Sequence, residues 1–493
     1  MKILLLYPNS YGMNMLPPAI GLLANLLKQH NHKIELFDST NWISSEDSNS
    51  DKLKEKNLNA MPFDDSKLRT NIHYDNIFKN FENRVKKFSP DLIAVSATES
   101  IFLRGISLLK YIKHLKIPVI IGGVFPTFAP QLCLSYEEID MVCIGEGEEA
   151  IIELCDRMDK NIDYSNIKNI WIKNKEEIIK NPLRPLCNID KNPVPDFSLF
   201  EESRFYRPMQ GRVWRMLPVE THRGCPNQCA YCNSPTQKKL YLQNTGERYF
   251  RKKSFDAIRK ELLHYKEKYK AEAFYFWADS FMTYTDKEFD EFVEMYSDIN
   301  LPFWCQLFPR EINENRLKKA IKIGLFRIGS GIEHGNEEFR AKILNRRISN
   351  SKMIENFKII HKCNLPFSVN NIIGFPTETR ELVMETIELN KMIDANDVNA
   401  YYFIPFHGTP LRKMSEELGY CEPSLITDSI TKDSPLKMPQ FSQEAIKGLQ
   451  RCFVMYVKMP KKKWKDIEKA EKLTSKGNKI WEELRNEYLE KYI

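Results

Sequence analysis

The feature that most restricts the fold of this chain is a series of short apolar runs that alternate with helical patterns. From residue 1 to about residue 157, the apolar runs predict strands and the periodic stretches between them predict helices. This alternation favours a doubly wound α/β domain with a parallel sheet, which binds ligands beyond the carboxyl ends of its strands. We predict strands at 3–7, 33–37, 92–96, 119–121 and 141–144, and helices at 19–30, 67–87, 101–115 and 148–159.

A second series of strand–helix units begins near residue 210, after a proline-containing linker. Six units predict a partial (β/α)6 barrel of the TIM type, in which the reactive loops follow the carboxyl ends of the strands. The predicted strands lie at 217–221, 273–277, 303–307, 326–328, 368–373 and 400–404. The expected parts are a doubly wound domain, a linker, a partial barrel and a helical C-terminal region, at residues 1–158, 159–209, 210–420 and 421–493.

Composition excludes several classes of protein. The net charge of +7 arises from 73 basic and 66 acidic residues, a balance that does not indicate a nucleic-acid partner. No window approaches the roughly 20 apolar residues that span a bilayer, and a buried strand explains the apolar start better than a secretion signal does. Most of the eleven cysteines are isolated, which suits reduced thiols. We expect a cytoplasmic protein without a membrane span.

Two segments carry weaker signals. Residues 41–66 are polar and rich in serine, asparagine and aspartate, a composition that predicts a mobile insertion. Residues 421–493 are helical and mixed in charge. We expect this C-terminal region to close over the open side of the barrel.

One short loop, at residues 221–233, contains Cys225, Cys229 and Cys232. Three thiolates at this spacing can bind one [4Fe–4S] cluster, which normally takes four cysteine ligands. The missing fourth ligand leaves one iron with an open position, and an open metal position is where chemistry takes place. The spacing therefore predicts a catalytic iron–sulfur cluster.

A structural zinc site is the main alternative for this loop, and it needs a fourth ligand at ordinary spacing. No second CxxC or HxxxH pair follows, and the next cysteine, Cys305, is isolated. His222 is able to complete a zinc shell, so zinc stays open on spacing alone. A chance group of packed thiols is disfavoured because Gly224 and Pro226 mark a loop.

The CxxxCxxC spacing, with Tyr231 directly before the last cysteine, resembles the signature of the radical S-adenosylmethionine (SAM) enzymes. The resemblance implies that the amino and carboxylate groups of SAM chelate the open iron. One electron from the cluster, which an external donor such as flavodoxin or ferredoxin supplies, then cleaves SAM to a 5′-deoxyadenosyl radical. Motifs after four later strands follow the order of that family, and they are 279–281, 331–333, 374–378 and 405–410.

The same resemblance implies which residues of the barrel contact SAM. Tyr231 and Gly374 would frame the adenine, Arg310 and Glu333 would bind the ribose and methionine groups, and Asp279 would contribute a further contact. Each of these residues also has an ordinary role as a turn or helix-capping residue. His334, His361 and His407 are candidate proton carriers or packed histidines, and no catalytic acid or base is assigned.

The first domain resembles the cobalamin-binding domain that precedes the barrel in one large subgroup of radical SAM enzymes. The resemblance implies cobalamin contacts after three of its strands, from Ser96, Thr98, Gly122, Gly123 and Gly145. The DxHxxG motif of many cobalamin domains is absent, since the first loop is Asn-Ser-Tyr-Gly-Met-Asn at residues 9–14. Its absence is common in this subgroup, which leaves the lower face of the cobalt without a histidine.

The favoured function, implied by the resemblance, is methylation of an unactivated carbon in a small-molecule, lipid or peptide substrate. Cobalamin would take a methyl group from one SAM, and a second SAM would supply the radical. Cyclisation, ring contraction or oxidation without methyl transfer is the alternative. Methylthiolation of tRNA is disfavoured because no cysteine precedes Cys133. A non-catalytic cobalamin or SAM sensor has no need of the intact cysteine motif.

Overall fold

The first sheet lies at the centre of the N-terminal half of the chain. The computed structural model describes residues 1–43, 49–175 and 177–492. In strand order β2-β1-β3-β4-β5-β6-β7, the first five strands are parallel and the last two form an antiparallel hairpin. The strands are β1 (Lys2–Tyr7), β2 (Lys33–Asp38), β3 (Leu92–Ser96), β4 (Val119–Gly122), β5 (Met141–Cys143), β6 (Ile170–Asn174) and β7 (Glu177–Lys180).

Helices cover both faces of this sheet, so its central strands are buried on both sides, as in other parallel sheets. The helices are α1 (Pro18–Gln29), α2 (Ser50–Lys56), α3 (Ile77–Phe88), α4 (Glu99–Ile112), α5 (Val124–Phe128), α6 (Pro130–Leu134) and α7 (Glu148–Asp159). The doubly wound fold predicted from the sequence is confirmed. The sheet differs in one respect, because its hairpin β6–β7 lies in the segment predicted as a linker.

The second sheet curls into a half-barrel of strand order β16-β15-β14-β13-β12-β9-β8. All its neighbours pair in parallel except β8, which is antiparallel to β9 at the edge. A two-stranded ribbon of β10 and β11 lies beside it. The strands are β8 (Tyr206–Met209), β9 (Arg212–Glu220), β10 (His222–Arg223), β11 (Arg251–Lys252), β12 (Ala273–Trp277), β13 (Phe303–Leu307), β14 (Leu325–Glu333), β15 (Phe367–Ile373) and β16 (Asp397–Tyr402).

The helices of the half-barrel pack on the outer face of this sheet, where residues such as Phe276 and Phe292 form the core. They are α8 (Ser234–Thr245), α9 (Phe255–Lys268), α10 (Asp286–Tyr296), α11 (Glu314–Lys322), α12 (Glu337–Lys342), α13 (Asn350–Lys362), α14 (Arg380–Ile393) and α15 (Pro410–Glu417). The partial (β/α)6 barrel is confirmed. No helix among the described residues is long and apolar enough to cross a bilayer.

The C-terminal region is helical, as predicted, with α16 (Gln443–Lys458), α17 (Trp464–Ala470) and α18 (Ser475–Lys491). Helix α16 packs on β16 and α14 through a nearly continuous buried face. Its Gln450 side chain donates to the carbonyl of Ala400 in β16 at 2.8 Å. The region therefore packs against the edge strand β16 and the outer helix α14.

The segment at 41–66, predicted as a mobile insertion, contacts the barrel through several of the residues that the structure describes; residues 44–48 lie outside them. Asn59 accepts from the Ala400 amide at 3.2 Å and donates to the Ala400 carbonyl at 3.3 Å, as a neighbouring strand would. Leu58 is buried in the main core, and Gly211 lies close to the carbonyl of Pro62. The polar side chain of Asn59 thus takes the place of water as the hydrogen-bond partner of the unpaired backbone at the edge of β16.

Candidate active site

The cysteine loop begins directly after β9, includes the short strand β10 and leads into α8. Each sulfur accepts a hydrogen bond at 3.4 Å: from Asn227 Nδ2 to Cys225, from the Ser234 amide to Cys232, and from Arg346 Nη1 to Cys229. Burial raises the pKa of Cys225 to about 11 and that of Cys232 to about 12. A buried thiolate at this site therefore needs a positive partner, which the irons of a cluster supply.

The loop fits a cluster better than a single zinc ion. The sulfur atoms of Cys225, Cys229 and Cys232 do not all lie within 4.8 Å of one another. Four thiolates about 2.3 Å from one zinc ion would lie only about 4 Å apart. His222, the candidate fourth ligand, packs against Tyr284 with ring centroids 4.5 Å apart, and its Nδ1 lies 2.8 Å from the hydroxyl of Thr221. The geometry disfavours zinc.

A buried arginine that sequence reasoning missed connects this loop to the end of β14. Besides Cys229, Arg346 donates to the hydroxyl of Tyr231 at 3.0 Å and to the carbonyl of Gly331, and it lies 3.8 Å from a carboxylate oxygen of Glu333. Its guanidinium stands 4.1 Å from the ring centroid of Phe308. Arg346 is 5% exposed. The only local signal was a pair of adjacent arginines in the loop after α12.

Glu333 occupies an unusual backbone position at the end of β14. Its φ is +66°, in the left-handed region, and the ladder to β15 shifts register beside it. A Cβ on Gly331 would lie 1.9 Å from Glu333 Oε1, so only glycine permits this carboxylate to fold back over its own strand. Burial raises the pKa of Glu333, and Arg346 opposes that shift. The Gly-Ile-Glu motif is thus a local device that aims one carboxylate at the cysteine loop.

Asp279 and Trp277 lie at the carboxyl end of β12, and both are exposed. Burial raises the pKa of Asp279, yet its side chain is exposed, and Trp277 is 39% exposed although it lies within the sheet. Alternation along β12 places Trp277 opposite the helix-packed Phe276, so the exposed ring of Trp277 lies on the inner side of the sheet. Arg310 is exposed on a short 3₁₀ turn and donates to the Arg347 carbonyl at 3.4 Å. It is Arg346, and not Arg310, that is buried beside Glu333.

The motif at Gly374 forms a tight turn after β15. The amide of Gly374 donates to the carboxylate of Glu378, whose other oxygen lies 3.1 Å from His334 Nε2 in the fully buried core. His334 also stacks on Phe339 with ring centroids 4.3 Å apart. His361 lies 2.9 Å from the carbonyl of Ile393, a contact that joins two outer helices. Both histidines have packing roles.

The carboxyl edge of the first sheet carries the residues predicted to contact cobalamin. Thr98 is exposed and Ser96 is half-buried there, and Gly122 has only ordinary contacts around its Cβ position. Gly123 has φ +123°, and a Cβ at this position would lie only 2.4 Å from the carbonyl oxygen of Ala97. In the first loop, the Asn9 amide is turned inward and donates to Thr40 at 2.9 Å. This edge therefore fits a corrin whose cobalt would receive no nitrogen ligand from the first loop.

The carboxyl edges of the two sheets face each other across a buried interface. Glu99, which follows Thr98, lies 3.0 Å from His407 Nδ1 and accepts from the amides of His407 and Thr427, each at 2.9 Å. Burial opposes ionisation of Glu99, but the contacts of His407 lower its pKa. His407 therefore acts as an interface residue in the structure, with its ring 5.2 Å from Phe125.

A second set of buried ion pairs joins the loop after β5 to the cysteine loop. Arg223, two residues before Cys225, contacts Glu148 at 2.6 Å and Glu146 at 3.1 Å. Gly145 allows the barrel to approach, because a Cβ there would lie 2.3 Å from the hydroxyl of Tyr241. The structure thus gives Gly145 a packing role at the interface, while its predicted cobalamin contact stays a prediction.

Replacing Gly408 with alanine is expected to loosen this interface. Gly408 has φ +82°, and a Cβ would lie 2.4 Å from Phe128 Cγ. Gly419 has a similar φ of +69° but no atom within 4 Å, so G419A serves as the matched control. We expect G419A to lower the free energy of unfolding by about 1 kcal/mol and G408A by a further 1–3 kcal/mol or so, measured by denaturant titration. Equal losses would show that the contact with Phe128 carries no cost.

Comparison with known protein families agrees with this architecture. Residues 219–389 match the model of the radical SAM superfamily, and residues 65–155 match the model of the B12 binding domain. The first match includes the cysteine loop, and the second includes the edge loops after β3, β4 and β5. The chain is a radical SAM enzyme with an N-terminal B12-binding domain. Its cofactors are a [4Fe–4S] cluster, SAM and cobalamin.

Individual relatives match this chain over most of its length. The chain is 28% identical over 415 residues to the "uncharacterized methyltransferase PH0819" of Pyrococcus horikoshii, covering 82% of this chain and 86% of the relative. It is 23% identical over 361 residues to the anaerobic magnesium-protoporphyrin IX monomethyl ester cyclase of Cereibacter sphaeroides, covering 70% of this chain and 57% of the cyclase. The structure of the methyltransferase TsrM from Kitasatospora setae, with cobalamin and a [4Fe–4S] cluster bound, shares the fold at a TM-score of 0.62 and 14% identity, covering 88% of this chain and 80% of TsrM.

Proposed function

We propose that this enzyme transfers a methyl group from SAM, by way of cobalamin, to an unactivated carbon of a small-molecule, lipid or peptide substrate. The observation that carries the proposal is the face-to-face placement of the two carboxyl edges. The cysteine loop lies on one edge and the B12-binding loops lie on the other, so two cofactors and a substrate can share one enclosed space. The P. horikoshii relative is named a methyltransferase.

When bound, the cluster supplies the electron that cleaves SAM, and cobalamin supplies the methyl group. The chain's own part is to hold, orient and shield. Cys225, Cys229 and Cys232 would bind three irons and leave the fourth to SAM. Arg346 would donate to the ligand sulfur of Cys229 and hold Tyr231 in place, which orients the loop toward the end of β14. Hydrogen abstraction by a radical needs no general base.

The SAM contacts that we propose lie around the same loop. Tyr231 and Gly374 would border the adenine, and the carboxylate of Glu333 would accept from the ribose or from the amino group of methionine. Asp279, which is exposed at the end of β12, would be a second acceptor there. Arg310, exposed on its 3₁₀ turn, would contact SAM at the rim of the site. On the opposite edge, Ser96, Thr98, Gly122, Gly123 and Gly145 would line the floor beneath the corrin.

Two SAM-derived products distinguish methyl transfer from other radical reactions. The holoenzyme, prepared anaerobically with quantified iron and cobalt, is supplied with SAM labelled at its methyl group, a flavodoxin or ferredoxin reducing system and fractionated cell metabolites. Methyl transfer predicts 5′-deoxyadenosine and S-adenosylhomocysteine in equal amounts, together with a labelled product detected by mass spectrometry. Absence of 5′-deoxyadenosine from a preparation that contains both cofactors would refute the proposal.

A second candidate function is ring formation without methyl transfer. Its support is the match to the anaerobic cyclase over 70% of this chain. The same assay separates the two candidates, because cyclisation would yield 5′-deoxyadenosine without S-adenosylhomocysteine and without label in the product.

A further inference from the structure

One half-buried arginine inside the half-barrel has no side-chain hydrogen bond or ion pair among the residues that the structure describes. Arg207 belongs to the edge strand β8, and its guanidinium carbon lies 5.1 Å from the ring centroid of Tyr275 and 5.7 Å from that of Trp304. The two rings belong to neighbouring strands and are 4.5 Å apart. An arginine stacked on aromatic rings is held in place while the edge of its planar fork stays free to donate.

Tyr275 and Trp304 lie on the inner side of the curved sheet. The strand neighbours of Tyr275, Phe274 and Phe276, are fully buried in the outer core with the helices, so alternation directs Tyr275 inward. A Cβ on Gly329 would lie 3.0 Å from the ring of Trp304, which places that ring across the inner face of β14. Arg207 thus reaches into the same interior space.

Two buried donors at this place lack acceptors. Arg207 Nη1 and Trp304 Nε1 are both inaccessible and have no hydrogen-bond partner in the part of the chain that the structure describes. Burial of a charged donor without an acceptor is costly, and native proteins seldom leave such groups unpaired. Two donors without an acceptor between them match a ligand that only accepts hydrogen bonds, as a carboxylate or phosphoryl oxygen does.

The carboxylates on the elements around this space form no ion pair with Arg207 among the described residues. Glu220, at the end of β9, receives two hydrogen bonds of 3.0 Å from Arg223. Asp51 of helix α2 pairs with Lys54 at 3.1 Å. Asp279 lies beyond the end of β12 and forms no ion pair with Arg207 among the described residues. No carboxylate of the described residues therefore pairs with Arg207, and its half-buried guanidinium is available to a ligand.

The position of these donors suits a substrate. Tyr275 comes two residues before Trp277, which ends β12, so the guanidinium lies about 7 Å below the carboxyl edge of the sheet. Trp277, nearer the carboxyl edge on the same face of β12, is 39% exposed, so its ring is not covered by packing at that level. A ligand whose anionic end is bound at Arg207 would extend upward toward the cysteine loop. The anion would then determine which carbon reaches the reactive edge.

We propose that Arg207 and Trp304 form an oxyanion-binding site for the substrate, which carries a carboxylate or a phosphoryl group at one end. Arg207 would donate two parallel hydrogen bonds to the oxyanion, and the Trp304 indole would donate a third. The inference rests on the proposed function, because it assigns the interior of the half-barrel to the substrate.

Isothermal titration calorimetry of the anaerobic holoenzyme tests the site with three probes of similar size: benzoate, phenyl phosphate and neutral benzamide. We expect saturable binding of at least one anion and none of benzamide, and the tighter anion identifies the substrate group as carboxylate or phosphoryl. R207Q should weaken that binding by about 10-fold to 100-fold. R212Q is the matched control, because Arg212 is exposed and stacks on Trp214 at 3.7 Å in the same hairpin.

W304F provides an independent variant if R207Q does not fold, since it keeps an aromatic ring and removes only the indole donor. We expect it to weaken anion binding several-fold. Equal binding of benzamide, or unchanged anion affinity in the variants, would overturn the inference. Reductive SAM cleavage by the wild-type preparation is measured in parallel. Cleavage without anion binding rejects the oxyanion site alone, whereas absence of cleavage rejects the proposed function.

Discussion

Replacing Cys229 with alanine is expected to abolish reductive cleavage of SAM, because it leaves the cluster with two of its three protein ligands. Changes to partners of metal ligands already lower activity by about 10-fold to 100-fold, so loss of a ligand should exceed that range. C225A and C232A should behave alike. The measurement is 5′-deoxyadenosine formation with a strong chemical reductant, together with iron content and the visible spectrum.

Two controls make this result specific. Cobalamin should stay bound in all three variants, since the B12-binding loops lie on the opposite sheet. C363A removes a half-buried thiol at the end of α13, far along the chain from the cysteine loop, and it should retain full iron content and activity. A cysteine-loop variant that still cleaves SAM at the wild-type rate would refute the assignment of the cluster.

Replacing Arg346 with alanine should be the most damaging single change outside the cysteines. It removes the donor to Cys229 and Tyr231 and leaves the carboxylate of Glu333 buried without its counter-charge. Removal of one partner from a buried ion pair typically costs about 3–5 kcal/mol of folding free energy. We expect a comparable loss of stability and a fall of about 10-fold to 100-fold in SAM cleavage per bound cluster.

R346K separates charge from geometry. Lysine restores the positive charge beside Glu333 but cannot donate to sulfur, hydroxyl and carbonyl at once, so stability should recover more than activity. R347A is the matched control, because the next arginine is exposed. If R346A cleaves SAM as well as R347A does, Arg346 has only a structural role.

Much of the fold could be predicted because its periodic pattern is local. The predicted strands at 92–96, 273–277 and 303–307 coincide with β3, β12 and β13, and the helix at 148–159 coincides with α7. Each is a buried run with clear flanking turns. The hairpin β6–β7 was missed because both strands are short and only half-buried, which weakens the apolar alternation. Strand β14 is longer than predicted since glycines interrupt its apolar pattern.

The segment before β3 makes contacts that its composition does not predict. Its polar composition predicted mobility, but in the structure the same side chains complete the edge of β16 through Asn59 and Ala400, residues 341 positions apart. A polar segment has the same composition whether its side chains bond to water or to the unpaired edge of a strand. Only the arrangement of the two sheets decides which of these partners it meets.

The sequence by itself determined the chemistry of the cluster and the series of strands that present it. The three cysteines lie within eight residues, and a short loop keeps them near one another in any fold. The tertiary structure alone decided which distant groups serve this loop. Arg346 bonds to Cys229 across 117 residues, and Arg207 reaches Tyr275 and Trp304 inside the half-barrel. Such contacts depend on how whole sheets pack, and no local pattern encodes them.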